Sequence, residues 1–164
     1  MKKQINNKKA LIICTVIFVE IILITIAIIN INNKEKLNGL SVNYKKGPTI
    51  EISKFSDSFD IEKEIVVKNK SKSKKTFNIE WKIVNNTLKK QSNFTYQIIG
   101  KGEKAKSIGV SQVPVAPAKI IQNITIDSSK KQMYKIKLSY KALNNSEKNS
   151  KFSGNIKITS TDKK

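Results

Sequence analysis

Residues 10–29 form a twenty-residue run in which only Thr15, Glu20 and Thr25 are not plainly apolar. A helix of that length is about 30 Å long, the thickness of the bilayer's hydrocarbon core. Its fourteen Leu, Ile, Val and Phe residues contribute roughly −6 kcal/mol on an insertion scale, against about +3 kcal/mol for an acid near mid-membrane. Insertion therefore remains favourable with Glu20 in place, and the run is expected to span as one N-terminal transmembrane helix. The chain then divides into a basic cytoplasmic tail at 1–9, a signal anchor at 10–29, a polar linker at 30–38 and a single domain at 39–164.

Orientation rests on a narrow margin. Lys2, Lys3, Lys8 and Lys9 precede the run, while Lys34, Lys36, Lys45 and Lys46 follow it. The short, immediately adjacent tail resembles a signal anchor and favours a cytoplasmic N-terminus. The apolar stretch is longer than a signal-peptide core, and its best small-x-small site, Thr25-Ile26-Ala27, lies inside it, so an uncleaved anchor is expected. Glu20 is the candidate intramembrane contact, since a carboxylate at that depth needs a partner charge or a proton.

Past the linker the periodicity changes to two. Phe77, Ile79, Trp81 and Ile83 alternate with polar residues, as do Tyr134, Ile136, Leu138 and Tyr140, and also Phe94, Tyr96 and Ile98; Phe152, Ile156 and Ile158 surround Gly154. Each pattern predicts a half-buried strand. Further strands are expected near 40–44, 49–55, 59–67 and 120–126. Turn chemistry separates them, at Gly47-Pro48, residues 69–73, Asn85-Asn86, residues 100–102, 127–129 and 144–146. Seven or eight short strands of this kind predict an all-β, antiparallel β-sandwich, jelly-roll or Ig-like. Residues 106–119, with Pro114 and Pro117, read as a crossing loop or irregular edge where the chain changes sheets.

All 32 basic residues are Lys, set against 12 acids; after residue 30 there remain 28 Lys and 11 acids, a net +17. Such a field attracts polyanions in a salt-dependent way. The abundance of Lys, Asn and Ile is also what an AT-rich coding sequence produces. Without Arg there is no bidentate reader of bases, so no specific nucleic-acid partner is expected. Membrane lipid, anionic cell-wall polymer, or other copies of the chain through sheet edges fit better.

Chemistry-bearing motifs are scarce. The domain has no His, and the only Cys, Cys14, sits in the apolar run. That removes imidazole bases, zinc sites and thiol nucleophiles, so no enzyme activity and no cofactor are expected. Asp57, Asp60, Glu62 and Glu64 are the densest acids; no calcium-loop glycine follows them, and surface ion pairs with the many lysines are expected instead. The sequons at Asn69, Asn93, Asn123 and Asn144 are what this Asn content produces by chance.

Two resemblances add to this reading. Residues 16–27, VIFVEIILITIA, resemble the start of a type IV pilin, in which the matching glutamate pairs with a neighbouring subunit's N-terminal amine; Thr15 stands where that family has Gly. The stretches TFNIEWKI at 76–83, FTYQI at 94–98, ITID at 124–127, QMYKI at 132–136 and KFSGNI at 151–156, with VVKNKS at 66–71, are similar to TasA- and camelysin-like secreted proteins of Gram-positive bacteria. That resemblance, over about residues 60–160, implies an exported jelly-roll-like sandwich whose relatives build extracellular fibres by lending a strand to a neighbour. The sequence thus points to a membrane-anchored extracellular module with a non-enzymatic surface, matrix or adhesion-type role. The alternative is an accessory or pilin-like subunit that uses Glu20 for helix pairing.

Overall fold

The computed structural model describes residues 15, 17, 18, 20, 21, 34–142 and 147–162. Two compact units divide between Asn33 and Lys34. In the first, Thr15, Ile17, Phe18, Glu20 and Ile21 are helical and exposed. The rest of the expected anchor, the tail and residues 30–33 lie outside the described residues. Among the described residues no helix is long and apolar enough to cross a membrane.

The second unit is a sandwich of two antiparallel sheets. Its ten described strands are β1 (Lys34–Leu37), β2 (Leu40–Lys45), β3 (Thr49–Ile52), β4 (Phe59–Asn69), β5 (Lys75–Asn86), β6 (Phe94–Lys101), β7 (Ile108–Gln112), β8 (Ala118–Ile126), β9 (Lys131–Tyr140) and β10 (Phe152–Ser160). Six strands make one sheet in the order β1-β2-β4-β9-β6-β7, and four make the other, β3-β10-β5-β8. Only β1–β2 and β6–β7 are hairpins within a sheet; every other connection carries the chain across. The expected crossing at 106–119 is present, β7 lying in the large sheet and β8 in the small one, but it is one of several.

The linker expected at 30–38 is shorter than its pattern suggests. Residues 34–37 pair with β2 from Lys34↔Asn43 to Leu37↔Leu40. Asn38 and Gly39, at φ 42° and 86°, make the left-handed two-residue turn between them. The strand is held from inside as well: Glu35 accepts a bond from the Tyr44 hydroxyl (3.2 Å), which itself accepts from the Ile158 N–H of the opposite sheet (2.9 Å). A four-residue strand of alternating charge is too short to show as a period-two pattern.

Alternation makes the core. Ile65, Val67, Phe77, Ile79, Trp81, Phe94, Ile98, Tyr134, Ile136, Leu138 and Ile158 all point inward and are almost wholly buried. Trp81 packs edge-on against Tyr96 (6.0 Å between centroids) and Phe152 (5.8 Å). Gly154 lies beneath these rings, and a Cβ there would come within 2.7 Å of Trp81 and 2.5 Å of Phe152. No other residue fits so close an approach.

Lys63 breaks the pattern, occupying an inward position on β4 opposite Ile136. Its ammonium donates to the carbonyls of Lys46 (2.7 Å) and Thr49 (2.8 Å), and more weakly to Gly47 (3.4 Å). It thereby ties down the β2–β3 crossing. Asn69 is similarly structural. It is fully buried, donating to Ser73 O and Ile126 O while accepting from the Ser71 amide and hydroxyl. Its sequon is therefore sealed inside a turn, whereas that at Asn144 lies outside the described residues.

Candidate anion-binding face

The pairing registers turn the outer face of the six-stranded sheet into a grid of rungs. Lys36, Ser41, Lys68 and Lys131 share one rung, and Lys34, Asn43, Val66, Met133 and Lys101 the next. Then come Lys45, Glu64, Lys135 and Ile99; Glu62, Lys137 and Gln97; and finally Asp60, Ser139, Thr95 and Gln112. Neighbours in a rung are about 4.8 Å apart, and successive rungs about 7 Å.

The grid has two electrically different halves. In the lower rungs Glu64 pairs with Lys45 (2.5 Å), Glu62 with Lys135 (2.8 Å) and Asp60 with Lys137 (3.1 Å). A bond from Ser139 and the Lys137 ammonium hold the Asp60 carboxyl below its usual value. The fourth acid of the sequence group, Asp57, accepts from Ser56 (2.8 Å). So the cluster is distributed along a strand with a lysine on each of three members, as the ion-pair reading expects. Among the described residues no three His, Cys, Asp or Glu side chains gather into a metal-binding group.

In the upper two rungs Lys34, Lys36, Lys68, Lys101 and Lys131 are exposed, and no ion pair forms with any of them among the described residues. They surround Val66 and Met133, which are half-buried. Lys68 and Lys131 stand directly opposite each other. A like-charge pair across a ladder costs roughly 0.2–1 kcal/mol. The adjoining β4–β5 turn adds exposed Lys70, Lys72 and Lys74, carried next to this edge by bonds from Lys70 N–H to Gly39 O (2.8 Å) and Ser128 Oγ to Ser71 O (2.8 Å). The outcome is a flat basic surface with short apolar relief.

The small sheet's outer face differs. Glu80 sits at its centre only 5% exposed, with Lys157 and Lys119 opposite it on the two neighbouring strands. It accepts from Lys82 (2.6 Å) and Thr159 (2.8 Å). Burial pushes the carboxyl up, but these bonds outweigh it and the group lies below its usual value. This acid thus takes Lys82 as its ion-pair partner at the centre of that face. A separate open concavity of about 580 Å³ holds Lys54, Lys148 and Lys151 with Ser53 and Asn149.

Glu20, the one site residue singled out in the sequence, is helical and exposed. Lys68 and Lys131 could not be singled out from sequence, because they are 63 positions apart and look like any other alternating Lys.

No family model matches the chain, and no curated protein matches it. Solved structures that align with it include AvmM and TmCBM61. AvmM, which catalyses macrocyclization in alchivemycin A biosynthesis, is 7% identical over 68% of this chain and 72% of its own, with a TM-score of 0.36. TmCBM61, solved in complex with β-1,4-galactotriose, is 8% identical over 76% of this chain and 90% of its own, with a TM-score of 0.41. At such low identity and overlap neither protein's ligand or chemistry bears on the basic face.

Proposed function

We propose that this chain is a membrane-anchored extracytoplasmic β-sandwich module that holds an anionic cell-wall polymer on the upper rungs of its six-stranded sheet, without catalysing a reaction. The observation that carries this reading is the Lys68↔Lys131 pair, a destabilising juxtaposition left uncompensated while the acids two to four rungs away are each matched to a lysine. Free ammonium groups at strand and rung spacing present charges roughly 5–10 Å apart, which suits a repeating phosphodiester polymer. Val66 and Met133 give the polymer's carbon backbone an apolar bed. The anchor at 10–29, with Glu20 as a tolerated polar residue, would keep the module at the membrane, beside the wall.

Co-sedimentation of the full chain, in mild detergent, with a poly(glycerol phosphate) polymer tests this. Binding is expected to weaken steeply as salt rises, because polyanion neutralisation releases counterions. Replacing Lys36, Lys68 and Lys131 together by Gln is expected to lower the log–log salt slope by about two to three. A neutral glucan should show no such binding. Affinity indifferent to salt, or unchanged in the triple variant, would reject the proposal.

A further inference from the structure

In a chain where 27% of residues are charged, residues 107–118, SIGVSQVPVAPA, carry no charge, the longest such run after residue 34. They comprise Ser107, β7, the β7–β8 connection and the first residue of β8. Both strands are sheet edges. Val110 is 71% exposed and Val115 59% exposed, and Gly109, Ala116, Pro117 and Ala118 are exposed beside them.

Edge strands invite pairing, and charge, bulges or covering side chains protect them. The other three edges have such devices. β1 alternates Lys and Glu, β3 carries Glu51, and β8 has Lys119 and a bulge at Asn123. Lys106 also covers β8, donating to Gln122 O (3.0 Å) and Asn123 O (3.2 Å). β7 has no charged residue. The Val113 N–H bonds Phe94 O on β6 (3.0 Å), so by alternation the main-chain groups of Gln112 and Val110 face away from the sheet. The β6–β7 register shifts between Tyr96 and Ile98, so that Gly109 and Val110 both lie opposite Gln97.

We infer that this uncharged edge is where a second copy of the chain docks, β7 against β7 antiparallel about a twofold axis. The charge argument selects the occupant. Two copies of a +20 chain repel wherever lysines meet, and this strip is the place where they can touch without opposing like charges. An anionic partner would instead gain by landing on the lysines. A twofold axis at Val110 lets its N–H and carbonyl exchange bonds with those of Val110 in the other copy, and it sets the two Val110 side chains side by side. A twelve-residue strip is well below the ~20–30 residues a side of a standard interface, so the dimer is weak, with a dissociation constant above the micromolar range.

The test uses the full chain with Cys14→Ser, so that one added cysteine is the only thiol. Val110→Cys is expected to give a disulfide-linked dimer on mild oxidation in at least ~10-fold higher yield than Lys72→Cys, an exposed turn position. In analytical ultracentrifugation the wild type is expected to dimerise with rising concentration, and Val110→Lys to weaken this ~10-fold or more without changing Trp81 fluorescence. Equal cross-linking at both positions would overturn the inference. So would a chain monomeric throughout the concentration series, or a dimer that persists in Val110→Lys and so forms through another part of the chain.

Discussion

Replacing Lys68 by Glu should stabilise the fold and weaken polymer binding at once. Lys68 faces Lys131 across the β4–β9 ladder, and neither meets an acid among the described residues. With flexible side chains the two ammonium groups sit about 7 Å apart, which in water costs about 0.6 kcal/mol before screening. Glu at position 68 turns that repulsion into a comparable attraction. The change totals about 1.2 kcal/mol at low salt and roughly half that at 0.15 M, where the Debye length is about 8 Å. For a domain of this size it raises Tm by about 3–6 °C at low salt. Adding Lys131→Glu restores a like-charge pair and should return Tm to within about 1–2 °C of the wild type. Polymer affinity follows a different course, falling in the single variant and falling again in the double. Thermal melts by circular dichroism at two salt concentrations, beside co-sedimentation, measure both. A Lys68→Glu variant with unchanged or lowered Tm would refute the claim that this pair is left unsatisfied. A double variant that regained binding would refute the role of its positive charge.

Three other expectations concern the fold that carries the face. Gly154→Ala places a methyl group against Trp81 and Phe152 and should cost about 1–3 kcal/mol by overpacking, seen in urea unfolding followed by tryptophan fluorescence. Lys63→Met leaves the Lys46 and Thr49 carbonyls without their ammonium donor; a loss of about 1–3 kcal/mol is expected, and a neutral result would show that water replaces it. Glu147 is 1% exposed and accepts from the Lys89 and Lys90 amides and Ser150 Oγ. Burial raises its carboxyl, but those bonds outweigh it and hold the group below its usual value. A depressed folded-state pKa gives stability that is present above the unfolded value near 4.3 and lost as pH falls through the folded one. Glu147→Gln should therefore be less stable at pH 7 and show a flatter decline in stability as the pH falls below about 4.3; parallel pH profiles for the two proteins would contradict this.

The strands were legible because side-chain alternation is a property of each segment alone. Phe77, Ile79 and Trp81 point inward whatever lies beside them. Which strand neighbours which was not legible, since the same alternation fits many pairings. The basic face depended on that missing information, Lys68 becoming distinctive only when β9 places Lys131 opposite it. β1 was hidden by its four-residue length, and Lys63 by a polar identity at an inward position of β4. Asn69 read as a turn residue with a sequon, and only the bonds to Ile126 and Ser73 show why it is enclosed. The charge-free run at 107–118 was fully visible in the sequence, but its meaning required β7 to be an edge.

Lysine footprinting tests the central claim most directly. The full chain is reductively methylated with and without saturating poly(glycerol phosphate), and each lysine's protection is read by mass spectrometry. Lys34, Lys36, Lys68, Lys101 and Lys131 are expected to be protected together, with protection lost at high salt, while Lys54, Lys148 and Lys151 stay reactive. Protection spread evenly over all lysines, or centred on Lys54, Lys148 and Lys151, would contradict the assignment of the upper rungs as the polymer-binding face.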